Sequence, residues 1–144
     1  MSESLPGAQE HIQAALQLCA KIDDLPADIP LIPIRKVGVI GAGTMGGGIT
    51  MNFLSAGIPV TIVEQEQAAL DRGVGVMGKN YEASVKRGRI EAADAKAAMD
   101  RLTPSLSFDD LADCDLVIEA VYESMEVKKD VFGRLDAIVK PGAI

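Results

Sequence analysis

The apolar positions of this chain change period several times, and each change marks an element. In residues 8–22, Ile12, Ala15, Leu16, Cys19 and Ile22 recur at helical spacing and predict one helix with a single apolar stripe. The stretch DDLPADIPLIP follows, with prolines at 26, 30 and 33. Each proline drives its predecessor toward extended backbone, which predicts a stiff linker. From Arg35 onward Val37, Val39 and Ile40 form a short apolar run around Gly38, the pattern of a strand buried inside a parallel sheet. A helix is expected from about Met45 to Ala56, closed by Gly57 as a left-handed cap and barred from continuing by Pro59. The β-branched run PVTIVE, 59–64, predicts a second strand. Leu70, Val74, Met77, Tyr81 and Val85 then return to helical spacing and predict a long helix over 66–87, ended by Gly88. Residues 91–101 complete a helical hairpin. DLVIEAV, 115–121, predicts another buried strand, and Ser124 is a candidate N-cap for a helix reaching about Val139. Gly142 leads toward a further strand whose body is missing.

Strands alternating with helices define an α/β chain with a parallel sheet, right-handed crossovers and helices on both faces. The expected organisation is a helix and proline-rich linker over 1–34, then a doubly wound domain over 35–144 carrying the long hairpin as an insertion. The domain looks truncated after the start of its fifth strand.

Composition narrows the function classes. Of 144 residues, 48% are hydrophobic and 24% charged, which suits a folded domain, and the net charge of −7 disfavours nucleic acid as a partner. No apolar run reaches the ~18–20 residues that span a bilayer, and residues 1–9 show no basic region followed by an apolar block, so no signal peptide is expected. Cys19 and Cys114 stand far apart with no CxxC and no neighbouring histidine, so both are expected to be buried, reduced and free of metal, as suits a cytoplasmic protein.

Candidate chemistry centres on Gly41-Ala42-Gly43-Thr44-Met45-Gly46, a GxGxxG pattern. Alone it constrains little. Here a strand precedes it, a helix follows it, and an acid, Glu64, ends the next strand. In that context Gly41 permits the tight turn, Gly43 lets the backbone approach a pyrophosphate, and Gly46 lets helix and strand pack closely. The amides of the helix's first turn, at its positive dipole end, then face the phosphates. Glu64 can accept hydrogen bonds from both hydroxyls of an adenine ribose. Gln65, Glu66 and Gln67 follow it with no arginine to receive a 2′-phosphate, so NAD is expected rather than NADP.

One segment runs against the acidic whole. Between 72 and 90, Arg72, Lys79, Lys86, Arg87 and Arg89 face a single acid, Glu82. Arg72, Lys79 and Lys86 are seven apart, so they share a helix face. That stripe suits either plain solvation or a polyphosphate ligand such as the phospho-ADP part of coenzyme A.

KVGVIGAGTMGGGI, the strand-end acid, the long hairpin and DLVIEAVYESMEVKKDVFGRLD together resemble the NAD-binding domain of 3-hydroxyacyl-CoA dehydrogenases over about residues 35–144. The helix and linker before it resemble the segment joining an enoyl-CoA hydratase part to the dehydrogenase in multifunctional β-oxidation enzymes. The resemblance implies oxidation of an (S)-3-hydroxyacyl-CoA to the 3-ketoacyl-CoA with NAD. It implies that residues 41–46 cradle the pyrophosphate and that Glu64 holds the ribose, where many members carry aspartate. Ala120, Val121, Glu123 and Lys128 would lie beside the cofactor. Lys79, Asn80, Lys86 and Arg87 would meet coenzyme A, Asn80 and Arg87 standing where relatives carry serine and lysine. Homo-oligomers and hydratase or thiolase partner domains are implied for a full-length protein. The family's Ser-Asn-Thr-Ser loop, catalytic histidine and paired glutamate would fall beyond Ile144, and the one histidine here, His11, is expected at the surface. No catalytic residue is therefore expected in this chain, and NAD binding without turnover is. A fragment of a β-hydroxyacid dehydrogenase, or a nucleotide-binding module without catalysis, are the alternatives.

Overall fold

The computed structural model describes residues 6–22, 25, 26 and 28–144. Positions 23, 24 and 27 of the expected linker lie outside the described residues. The chain divides into two units, Met1–Ile32 and Pro33–Ile144.

The first unit holds helix α1, Pro6–Cys19, three residues shorter at its end than its apolar spacing predicts. A lone helix offers its stripe nothing to pack on, and Ile12 and Leu16 are 57% and 65% exposed. His11 is exposed, as expected. Cys19 is exposed too, which corrects the expectation that both cysteines are buried. Cys114, in the second unit, is fully buried, and that burial pushes its thiol up to about 11, so it stays protonated and inert.

In the second unit β1 (Val37–Ile40), α2 (Thr44–Ser55), β2 (Val60–Val63), α3 (Gln67–Lys86), α4 (Ala92–Met99), β3 (Leu102–Ser105), β4 (Leu116–Glu119) and α5 (Met125–Ile138) follow one another. The sheet is parallel throughout, in the order β3-β2-β1-β4. Helices α2 and α3 end where glycines at 57 and 88 turn left-handed, with φ of 83° and 65°. Alternation along the strands feeds two cores. Val37, Val39, Val60 and Ile62 pack with Leu54, Leu70, Met77 and Tyr81 of α2 and α3. Ile40 and Val63 pack on the other face with Leu111, Cys114, Val131 and Leu135. Each such fully buried aliphatic side chain contributes about 1.5–3 kcal/mol relative to exposure.

Two elements escape the sequence pattern. Strand β3, LTPS, is short, half-exposed and carries Pro104, which lacks the amide a central strand needs. It survives because β3 is the edge strand. A 3-10 turn, Phe108–Leu111, follows it, with the Ser107 hydroxyl accepting from the Asp109 N–H at 3.2 Å. Strand β4 is only partly buried, contrary to expectation, because its outer edge meets a single residue. There the Val117 N–H donates to the Ile144 carbonyl at 2.8 Å and the Ile144 N–H to the Asp115 carbonyl at 3.0 Å.

Asp115 fastens the entry to the sheet. Its carboxylate accepts from the Arg35 and Lys36 amides at 2.7 and 3.0 Å and from Lys140 Nζ at 2.5 Å. Lys140 above all, then the two amides, hold the carboxyl down to about 2 from an ordinary 3.8. A carboxyl lowered on folding stabilises the fold above its unfolded pKa, and that contribution disappears as the pH falls through the folded one. Asp115→Asn is therefore expected to lower the thermal midpoint at pH 7, with the gap to the unaltered chain closing between about pH 4 and pH 2. Circular dichroism melts of both proteins across that window check it; a gap independent of pH would refute the assignment.

Candidate functional site

The sheet order reverses at β1, whose neighbours β2 and β4 leave on opposite sides, and ligand crevices of open α/β sheets form at such points beyond the strands' carboxyl ends. The glycine loop occupies that position. Gly41 has φ of 100°, and a Cβ there would stand 2.7 Å from the Ala120 carbonyl oxygen. At Gly46 a Cβ would overlap the carbonyl oxygen of Gly41, so α2 is pressed against the strand end. Gly43 is the N-cap of α2 and provides no side-chain cap, which leaves the first-turn amides, including those of Thr44 and Met45, open for a ligand. A Cβ on Gly43 would meet no atom within 4 Å, so the space above the loop is free. Met45 projects outward, 62% exposed.

Glu64 follows β2 directly. One of its carboxylate oxygens accepts from the Ala42 N–H at 2.9 Å, the other from the Gln65 N–H at 2.8 Å. The acid thus ties the end of β2 to the glycine loop, a second role that strand-end position alone does not reveal. Two clefts meet at this point. One, of about 420 Å³, lies between the loop and α3, with Thr44, Gly48, Arg72, Val76 and Asn80 in its walls. The other, of about 390 Å³, lies over the strand ends, walled by Gln65, Phe108, Ala120, Val121 and Val127. Gly43 and Glu64 line both.

Two features of this site lie outside the glycine-loop pattern. Arg72 shares a cleft with Glu64, a neighbour in space that residues 65–67, which follow the acid in sequence and include no arginine, do not reveal. Helix α3 folds back over the loop and returns a residue eight positions later to the same place. Gly73 allows that approach, because a Cβ there would overlap the carbonyl oxygen of Ala42; a glycine interrupting a helical pattern was the available signal.

After β4 a cluster of charge forms. Glu119, the last residue of β4, is 6% exposed at its side chain and receives Lys128 Nζ at 2.7 Å and the Val121 N–H at 2.7 Å. Lys128 also stands 3.5 Å from Glu123, which is 87% exposed. The bond from Lys128 holds the Glu119 carboxyl below its ordinary range, and Glu119 in turn raises Lys128. Sequence reasoning selected Glu123 and Lys128 and missed Glu119, although an acid closing the apolar run LVIE repeats the placement of Glu64.

The cationic stripe of α3 does not stay together. Arg72 and Asn80 face the glycine-loop cleft, Asn80 donating to the Met51 sulfur at 3.8 Å. Lys86 instead borders a groove between α3 and α4, opposite Lys96. In a straight α-helix residues fourteen apart drift round the axis by about 40°. Among the described residues, none of Arg72, Lys79, Lys86 and Arg87 takes part in an ion pair.

A parallel sheet with its glycine turn at the switch point, an uncapped helix amino terminus above it and an acid closing the neighbouring strand define a dinucleotide-binding domain of the Rossmann type. The donor set fits a diphosphate and a ribose: open amides, free space above Gly43 and a carboxylate at the loop. Comparison with known proteins gives the family. Residues 36–144 match the family model described as 3-hydroxyacyl-CoA dehydrogenase, NAD binding domain, and the chain belongs to that family. A probable 3-hydroxybutyryl-CoA dehydrogenase from Deinococcus radiodurans is 41% identical over 109 residues, 76% of this chain and 39% of that protein. A peroxisomal fatty acid beta-oxidation multifunctional protein from Oryza sativa subsp. japonica is 36% identical over 136 residues, 93% of this chain and 19% of that protein. The crystal structure of (S)-3-hydroxybutyryl-CoA dehydrogenase from Ralstonia eutropha superposes with a TM-score of 0.75 at 36% identity, covering 78% of this chain and 40% of that one. The cofactor of the domain is NAD. The chain spans about two fifths of the length of the first of these relatives. No helix among the described residues is long and apolar enough to cross a membrane.

Proposed function

We propose that this chain is the cofactor-holding part of an NAD-dependent 3-hydroxyacyl-CoA dehydrogenase that oxidises an (S)-3-hydroxyacyl-CoA to the 3-ketoacyl-CoA in fatty acid β-oxidation. The observation that carries this is the uncapped amino terminus of α2 over a glycine turn that admits no side chain at 41 or 46, with Glu64 bonded to the same loop. NAD, when bound, supplies the two-electron acceptor. The amides of residues 43–46, Thr44 and Met45 at the first turn of α2 among them, would hold its diphosphate, while Ala42 gives its N–H to Glu64 and shapes the loop. Glu64 would accept from the adenine ribose hydroxyls, Ala120 and Val121 would flank the base side, and Glu123 and Lys128 would stand after β4 beside the cofactor.

Unneutralised cations on α3 support coenzyme A as the carrier of the substrate. Lys79, Lys86 and Arg87 would attract its phosphates, with Asn80 as a neutral donor. A small hydroxyacid has no use for such a helix. Turnover needs a base near neutrality to take the hydroxyl proton, and Pro33–Ile144 contains no histidine. This chain alone is therefore read as binding NAD without turning it over, in a reducing, cytoplasmic setting, with further domains or copies completing the enzyme, as the multifunctional relatives suggest.

Calorimetric titration with NAD, NADP and coenzyme A, beside an absorbance assay with acetoacetyl-CoA and NADH, tests the reading. Heat with NAD exceeding that with NADP, salt-sensitive binding of coenzyme A and a flat absorbance trace are expected. Absence of any NAD heat would overturn it.

A further inference from the structure

We infer that Glu119 is a positioning residue for the cofactor crevice: it fixes the turn at 120–121 that forms one wall and holds Lys128, the residue after Val127 of the same wall. The inference rests on the NAD reading above. Lys128 lies one turn into α5, and its four-carbon stem would sample many positions if its head were free. Two carboxylates compete for it. Glu123 is nearer in sequence and largely in solvent, whereas Glu119 is almost enclosed and makes the shorter contact, 2.7 against 3.5 Å. Enclosure settles the competition, because a screened surface pair contributes little and a partly desolvated, hydrogen-bonded one contributes more.

Glu119 does not spend both oxygens on the lysine. The second accepts the Val121 N–H at 2.7 Å, two residues along the chain. Ala120, between them, donates its N–H to the Ile40 carbonyl at 2.9 Å, and its own carbonyl fills the space that a side chain at Gly41 would need. One carboxylate therefore links the glycine turn, the crevice wall at 120–121 and the cation after β4. Lys128 retains 22% exposure, carries more donors than Glu119 uses, and directly follows Val127, which lines the crevice over the strand ends.

The test is a double-mutant cycle on NAD affinity. Glu119→Gln keeps the shape and one acceptor but removes the charge; Lys128→Met removes the cation and keeps the stem. Each single change is expected to weaken NAD binding about tenfold, and the double change no more than Lys128→Met alone, because contacting residues in one network are not additive. Additive losses would mean that Glu119 acts only on general stability, and unchanged affinity in Glu119→Gln would overturn the inference outright. Should Glu119→Gln fail to fold, the unaltered chain provides the readout: the Lys128 ε-carbon resonance is expected to move when NAD is added, and a stationary resonance refutes the role. If the unaltered chain shows no NAD binding, the cofactor reading itself fails, and this inference with it.

Discussion

Gly46→Ala is expected to abolish measurable NAD binding and to lower the thermal midpoint by more than about 10 °C. The added methyl would overlap the carbonyl oxygen of Gly41 and stand 3.4 Å from the Cβ of Ala120. Neither neighbour can rotate out of the way, since one is backbone and the other a methyl fixed to it. Overpacking of this kind costs typically about 1–3 kcal/mol, and a backbone obstacle places it at the upper end. Relief requires α2 to withdraw from the strand, and withdrawal carries its open amides away from the diphosphate position. Gly43→Ala supplies the contrast. Residue 43 has an ordinary φ of −70° and free space around its Cβ position, so the fold is expected to be unaffected while the methyl obstructs the diphosphate. Melting curves and calorimetry on both variants separate the two roles. A Gly46→Ala protein with unchanged midpoint and affinity would show that the helix does not need this approach.

Glu64→Ala is expected to weaken NAD binding by one to two orders of magnitude, since hydrogen bonds to a charged group are worth about 1.5–3 kcal/mol. The structure adds a cause that lies in the protein itself. The carboxylate accepts the Ala42 amide, so its removal loosens the loop as well as the ribose contact. Glu64→Gln keeps a carbonyl oxygen for Ala42 but replaces one ribose acceptor with a donor, and an intermediate loss is expected. Discrimination against NADP should shrink in both variants, because the repelling charge is gone and Arg72 lines the same cleft. Titrations with both dinucleotides check this. Equal NAD affinity in all three proteins would remove Glu64 from the site.

Much of this was legible in the residue order because it depends on local chemistry. The strand at 37–40, the helix that follows its glycine turn, the stop at Gly57 and the long helix ending at Gly88 each follow from periodicity and from where glycine and proline stand. Other features were not legible, for physical reasons. Strand β3 has neither length nor alternation and contains a proline; only pairing with β2 makes it a strand. Cys19 carried the same apolar spacing as a core residue, yet burial requires a partner surface and α1 supplies none of its own.

The order of residues by itself determined the α/β alternation, the glycine turn and the acid that closes the second strand, since those rest on backbone freedom and on side-chain charge that any copy of the segment would carry. Tertiary packing alone decided which charges meet: that Arg72 returns beside Glu64, that Lys128 goes to the enclosed Glu119 rather than to Glu123, and that the cations of α3 divide between two clefts. Electrostatic pairing depends on distance and on exclusion of water, and neither exists until the helices lie against the sheet.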